Sequence, residues 1–270
     1  MKQNTVLLCA PHHFKVIYQI NPWMDVLNKV DPAKAMEQYE TLKQTYKDLG
    51  LKVLELTQDE TLPDMVYAAN CGFPYGKTFI KANFKHDERK KEAEHAKAFF
   101  QKRGYTLKEL PEDVVWEGQG DLIAAGEKYF LGWGKRTDYE AKKYLSEFLG
   151  KEIIDFKMID PYYYHLDTCF LPLDADTVAI NPKSFDPEGL EKIHQIFQNV
   201  IEVGESDNKI LACNGVVIDK TILSPSGISQ QLKDEYAKYG FSVREIQTGE
   251  FLKGGGSVKC LTLEFYDSPH

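Results

Sequence analysis

Gly254-Gly255-Gly256-Ser257-Val258-Lys259-Cys260-Leu261-Thr262-Leu263-Glu264-Phe265 is an apolar segment with no helix after it. Val258, Cys260 and Thr262 alternate with Leu261 and Leu263, a period of two that predicts a strand. The three glycines before them open backbone positions closed to other residues and allow close approach. A terminal strand without a following helix would pair with the N-terminal strand Val6-Leu7-Leu8-Cys9-Ala10-Pro11. That pairing would complete a unit begun at the other end of the chain.

Working outward, the sequence repeats this unit. An apolar strand leads to a second apolar hairpin and then a charged helix. Helices are expected over residues 33–49, starting after the Asp31-Pro32 cap and ending at Gly50, and over 87–103, 139–149, 188–198 and 229–239. Met65-Val66-Tyr67-Ala68-Ala69-Asn70-Cys71 is read as a hairpin strand. One polar mark stands at the same place in each copy: Asn70, Asp121, Asp167, Asn214 and Cys260, spaced by roughly 50 residues. A period of that length marks a stacked supersecondary unit. A closed ring of five ββαβ units, an α/β propeller, is therefore expected, as a single domain over residues 1–270 with the marks converging on its axis.

Bulk properties bound the function. Of 270 residues 43% are hydrophobic and 27% charged, ordinary values for a globular chain with a real core. A net charge of −8 argues against nonspecific nucleic-acid binding. The start is too short in apolar residues for a signal peptide, and no stretch is long enough to span a bilayer. Five widely spaced cysteines fit a reducing compartment, so a cytosolic protein is expected. Without a CxxC or HxxxH pair, no metal site is expected.

Two segments are polar where core strands would be apolar. In Trp116-Glu117-Gly118-Gln119-Gly120-Asp121, two glycines between two acids make a bend that can present both to one pocket. In Tyr164-His165-Leu166-Asp167, alternation puts His165 and Asp167 on one strand face. With Cys260 they supply a thiol, an imidazole as general acid/base, a carboxylate (Glu117) to orient it, and an acceptor (Asp167) for a cation. A pocket lined by Glu117, Asp121 and Asp167 would raise a thiol's pKa above its usual value of about 8.5. Such a site makes sense where the substrate carries the positive charge. A planar guanidinium, which pairs bidentately with carboxylates, is such a substrate.

WEGQGD, HLD and GGGSVKC in this order, with MVYAAN and Lys135-Arg136-Thr137, resemble the guanidino-group-modifying enzymes of the pentein superfamily over essentially the whole chain. The resemblance implies a five-bladed α/β propeller and no metal or organic cofactor. It implies Cys260 as nucleophile, His165 as general acid/base, and Glu117 and Asp167 as their acidic companions. Asn70, where arginine deiminases carry an aspartate, is similar to the arginine dihydrolases. Asn21 in Ile20-Asn21-Pro22-Trp23-Met24 and Arg89 in His86-Asp87-Glu88-Arg89 look like that branch's substrate-binding positions. Arg136 resembles the arginine that receives the substrate carboxylate, and Asp121 joins the substrate-binding set.

The expected function is a cysteine-dependent hydrolysis of arginine to ornithine, ammonia and carbon dioxide. Dimethylarginine dimethylaminohydrolase, arginine deiminase and amidinotransferase stay open as alternatives, as does a non-catalytic binder on the same ring. The partner is a small guanidino compound, with no membrane or nucleic acid, and a homo-oligomer is left open. His12 and His13 are read as loop residues, Tyr162-Tyr163-Tyr164 as packing at the cavity mouth, Cys9, Cys71, Cys169 and Cys213 as core, and residues 86–97 as a solvated helix face apart from Arg89.

Overall fold

The structure is a computed structural model that describes residues 4–266. The ends of the expected 1–270 domain, residues 1–3 and 267–270, lie outside the described residues. Five three-stranded sheets follow one another along the chain. In each, a central strand pairs antiparallel with one neighbour and parallel with the other. The second sheet joins Gly72–Tyr75, Thr78–Lys81 and Thr106–Lys108; the third joins Leu122–Ala125, Lys128–Trp133 and Ile153–Lys157. The fourth and fifth repeat the pattern over residues 170–202 and 216–246. The first sheet is built from both ends: Thr5–Cys9 lies between Lys52–Leu56 and the last strand, Leu263–Phe265. Its register sets Leu7 opposite Leu263 and Thr5 opposite Phe265.

A helix crosses from each central strand to its parallel neighbour: Pro32–Asp48, Glu92–Gln101, Ala141–Leu149, Pro187–Ile196 and Gln230–Lys238. Three begin on side-chain caps. Asp31 accepts from the N–H groups of Ala33 and Lys34, Asp186 from Gly189 and Ser229 from Leu232, satisfying donors that the first helical turn leaves without partners. The second helix starts five residues later than the expected residue 87, because residues 87–91 form turns.

Five buried apolar clusters fill the spaces between adjacent sheets. Leu7, Phe79 and Phe265 join the first sheet to the second; Phe73, Ile80, Leu122 and Leu131 join the second to the third. Phe130, Phe156, Phe170 and Val178 join the third to the fourth; Leu171, Ala179 and Ile222 join the fourth to the fifth. Val6, Leu8, Val216 and Leu223 bring the fifth back to the first. The circuit of cores is complete, which is the ring the repeat implied. Deleting a ring such as Phe130, stacked on Phe156 at 5.7 Å, would cost about 3–5 kcal/mol.

Three expected strands are turns. Residues 65–71 are 3-10 turns at Pro63–Val66 and Ala68–Cys71, and Leu166–Thr168 is a third, with His165 extended just before it. The last strand is only Leu263–Phe265, so Cys260 sits in the turns that precede it. In these segments alternation of apolar and polar residues reflects burial of nearly every side chain, and period two loses its meaning. All five polar marks stand one to three residues before the first strand of a sheet, at equivalent inner corners of the ring.

Candidate active site

The inner corners bring together groups far apart in sequence. Asn70, Glu117, His165, Asp167 and Cys260 are each at most 2% exposed. Backbone bonding locks the corners to one another: Ala69 N–H donates to the Cys260 carbonyl (3.2 Å). Gly118, at φ +59°, and Gly120 are glycine for a steric reason. A Cβ on Gly118 would lie 2.6 Å from the Asn70 carbonyl oxygen, and one on Gly120 2.4 Å from Asn70 Nδ2 and 3.1 Å from His165 Nδ1. The WEGQGD bend thus lies directly between Asn70 and His165.

Glu117 holds the imidazole half. Its Oε2 meets His165 Nε2 at 2.7 Å and accepts from Arg136 Nη1 at 3.0 Å, while Oε1 accepts from Lys85 N–H at 3.1 Å. Burial alone would raise this carboxyl, but Arg136 and His165 outweigh it and keep it ionised well below the usual carboxylate range. His165 is pulled down to about 4, first by burial, with Glu117 opposing and Arg136 reinforcing. The imidazole is therefore neutral near pH 7. Its Nε2–H donates to Glu117, so Nδ1, buried and without a partner, presents a lone pair.

Asp121 also faces this half, with Oδ2 3.9 Å from His165 Nε2. Its oxygens are engaged by the scaffold: Thr137 Oγ1 donates to Oδ2 at 2.7 Å and Leu166 N–H to Oδ1 at 3.1 Å. Asp121 thereby ties the turn carrying His165 and Asp167 to the segment carrying Arg136.

The thiol half is different. Cys260 Sγ donates to Asp167 Oδ2 (3.3 Å) and accepts from Asn214 Nδ2 (3.2 Å); its hydrogen bonds run to these two residues and none to His165. Burial, then the charge of Asp167, push the thiol well above its ordinary value. Burial likewise pushes Asp167 up to about 7. Asp167 Oδ1 is buried and without a partner.

Asn70 is set by its neighbour. Arg89 Nη1 donates to Asn70 Oδ1 at 3.0 Å. A guanidinium can only donate, so the amide oxygen must face it and Nδ2 must face the other way. Nδ2 is buried without a partner. Arg89 is itself fixed by Glu92, which accepts from Nε and Nη2 at 2.7–3.2 Å, and by the Asp64 carbonyl. Glu92 is fully buried, which corrects the reading of residues 86–97 as a solvated face with one exception. The Arg89–Glu92 spacing of i,i+3 was the available signal.

Asn21 and Arg136 belong to the cover of the site. Asn21 Nδ2 donates to Tyr164 Oη (3.3 Å) and the Gly254 carbonyl (3.1 Å), and its Oδ1 accepts from Trp23 and Met24 N–H. Arg136 Nη2 donates to the Ile20 carbonyl (2.9 Å), and its guanidinium lies over the Tyr164 ring at 4.6 Å. Tyr164, read as packing, also donates its hydroxyl to the Gly255 carbonyl at 2.8 Å. The sequence assigned no role to Asn214, Thr137 or Glu92, although Asn214 carried the repeat's own signature. Among the described residues no group of three or more His, Cys, Asp or Glu side chains is placed to hold a metal ion, and no helix is long and apolar enough to cross a membrane.

Known proteins share this arrangement of chain. The bifunctional arginine dihydrolase/ornithine cyclodeaminase ArgZ of Synechocystis is 37% identical over 263 residues, covering 96% of this chain and 37% of ArgZ. This chain thus spans about a third of ArgZ and of its Nostoc counterpart AgrE. The N(G),N(G)-dimethylarginine dimethylaminohydrolase of Mycobacterium tuberculosis is 38% identical, covering 96% of this chain and 85% of that protein. The crystal structure of the N-terminal domain of cyanobacterial ArgZ, a cysteine-to-serine mutant bound to substrate, superimposes with a TM-score of 0.93 at 35% identity, covering 97% of this chain and 98% of that one. The model of the family "N,N dimethylarginine dimethylhydrolase, eukaryotic" matches residues 18–267, and the chain, with its pentein fold, belongs to that family.

Proposed function

We propose that the chain is a cysteine-dependent hydrolase of a guanidino substrate and that it takes arginine to ornithine, two ammonia and carbon dioxide. Cys260 is the nucleophile. His165 is the general acid/base, oriented by Glu117 through Nε2. Asp167 Oδ1 accepts an N–H of the substrate, and Asn21, Arg89, Arg136 and Asp121 hold the substrate and the walls of the site. The ArgZ domain, of the same fold and described as an arginine dihydrolase, supports the choice of arginine.

The chemistry follows from the protonation states. A neutral thiol beside a buried carboxylate resists ionisation, and a bound guanidinium supplies the charge that makes a thiolate accessible. Sulfur attacks the guanidinium carbon, the C–N bond breaks, and the proton that leaves sulfur ends on the departing ammonia, carried by Nδ1 of His165. Water deprotonated at Nδ1 then attacks the thiouronium carbon, returning the thiol and leaving citrulline. A second round on the ureido carbon expels ammonia and leaves a thiocarbamate. Its hydrolysis gives a carbamate that breaks down to ornithine and carbon dioxide.

One observation carries the second round. Asn70 is locked by Arg89 with its amide donor toward the site. A guanidinium offers only donors and gains nothing from it. The ureido oxygen of citrulline is an acceptor and gains a hydrogen bond worth about 0.5–1.5 kcal/mol. An aspartate here would present an acceptor and favour release of citrulline.

The test is product analysis by mass spectrometry with arginine, citrulline and asymmetric dimethylarginine in parallel. Ornithine from both arginine and citrulline is expected, and Asn70→Asp should shift the product toward citrulline. Citrulline as the sole product of the unaltered enzyme would end the dihydrolase reading. The Mycobacterium relative, which this chain matches over most of its length, favours a second reading in which dimethylarginine is the substrate. Dimethylamine release faster than ammonia release from arginine would select it.

A further inference from the structure

Asn214, in Leu211-Ala212-Cys213-Asn214-Gly215, is the fifth repeat's counterpart of Asn70, Asp121, Asp167 and Cys260. It is fully buried, and its turn is held in a costly conformation, with Leu211 at φ +57°. The side chain uses both ends on the nucleophile's loop. Oδ1 accepts from Ser257 N–H (2.9 Å) and Cys260 N–H (3.1 Å). Backbone N–H groups can only donate, so the amide oxygen must lie there and Nδ2 must lie toward sulfur. Nδ2 donates to Cys260 Sγ at 3.2 Å and to the Asp167 carbonyl at 3.0 Å.

We propose that Asn214 is a catalytic residue whose Nδ2–H stabilises the Cys260 thiolate as it forms and attacks the guanidinium carbon. This rests on the reading of Cys260 as nucleophile. The thiol's one proton already points at Asp167, so the only thing Asn214 gives the resting sulfur is a weak N–H···S bond. When the proton leaves for the departing nitrogen by way of His165, the same bond becomes charge-assisted and strengthens about twofold. The bond is made mostly in the reacting state, which is where an interaction accelerates a reaction. The Ser257 N–H also favours the thiolate, and the remaining groups facing the sulfur do not help. Asp167 repels the thiolate, the phenols of Tyr67 and Tyr164 are neutral, and Arg89 and Lys259 act on Asp167.

The test is the pH dependence of alkylation of the full chain by 2-chloroacetamidine, whose amidinium stands in for the substrate's cation, and by neutral iodoacetamide. Asn214→Asp keeps an oxygen for Ser257 and Cys260 N–H but removes the donor to sulfur. Asn214→Ser is read beside it in case the aspartate fails to fold, with far-UV circular dichroism and Tm as controls. In folded variants the midpoint of the alkylation profile should rise by about one to two pH units, and kcat for arginine should fall at least tenfold. A folded variant whose profile matches the unaltered enzyme would reduce Asn214 to a loop anchor and overturn the proposal, even if activity were lost. Failure of the unaltered enzyme to be labelled at Cys260, or arginine turnover by Cys260→Ser, would instead remove the underlying reading of Cys260.

Discussion

Glu117 and Asp167 are carboxylates of one site, at 0% and 1% exposure, yet they stand in opposite regimes. Arg136 and His165 hold Glu117 ionised, whereas Asp167, with a thiol and an amide for company, is pushed up to about 7. Burial opposes both charges; the neighbours outweigh it at Glu117 but not at Asp167. The same lesson separates the cysteines. All five lie buried in apolar clusters, and Cys169 and Cys213 donate to backbone carbonyls, while Cys260 lies between a carboxylate and a side-chain amide. One half of the site is thus charged, with Glu117 between Arg136 and His165. The other is a neutral thiol beside a carboxyl raised to about 7, which the proposed reaction would make ionic once a cationic substrate arrives.

The largest effect belongs to the neutral half. Cys260→Ala should abolish ammonia release from arginine, with no folding penalty beyond a small cavity; turnover above background would break the division of labour. In the charged half, His165→Ala should lower kcat by about 10²–10⁴-fold, the usual contribution of a general acid/base. Alkylation of Cys260 by 2-chloroacetamidine should nevertheless persist, since the thiol's contacts run to Asp167 and Asn214. Loss of that alkylation would mean the two halves ionise together.

How much of this was legible in the sequence differs between the frame and the site. The ring was readable because each copy repeats a strand, a mark and a helix, and Asp31-Pro32 placed a helix start to within one residue and its cap at Asp31. The marks converge as the repeat implied, yet the strand assignments around Asn70, His165 and Cys260 failed. At the inner corners both faces are buried, so hydrophobic alternation carries no information there. The residue types pointed to the chemistry and gave Glu117 to the imidazole, where it is found, but did not give Asp167 to the thiol. Glu117 and Asp167 look alike in sequence; the ion pair with Arg136 and the contact with His165 set Glu117 apart. Asn214 was visible as a repeat mark and passed over because an amide suggests no chemistry until a sulfur is seen 3.2 Å away.

A smaller and sharper effect compares the two carboxylates through stability. Asp167 has a folded pKa near 7, above its unfolded value, so the folded state binds more protons between about pH 4 and 7. Its contribution is fully present below pH 4 and is lost as pH rises through 7. Asp167→Asn removes that titration, so the variant's stability relative to the unaltered chain should climb across this window, by at most about 4 kcal/mol. The uncompensated amide N–H would subtract about 1–3 kcal/mol from the gain. Glu117 has the opposite sign, because its folded pKa lies below the unfolded one. Its contribution is present above the unfolded pKa and is lost as pH falls toward the folded one. Glu117→Gln should therefore be destabilised by about 3–5 kcal/mol at pH 7, leaving Arg136 buried without its counter-charge, and by progressively less only below about pH 4. Urea unfolding of both variants from pH 2 to 8 reads the two slopes, that of Asp167 between about pH 4 and 7 and that of Glu117 below about pH 4. Slopes of opposite sign sharpen the comparison, and parallel slopes would show that burial alone governs both carboxylates.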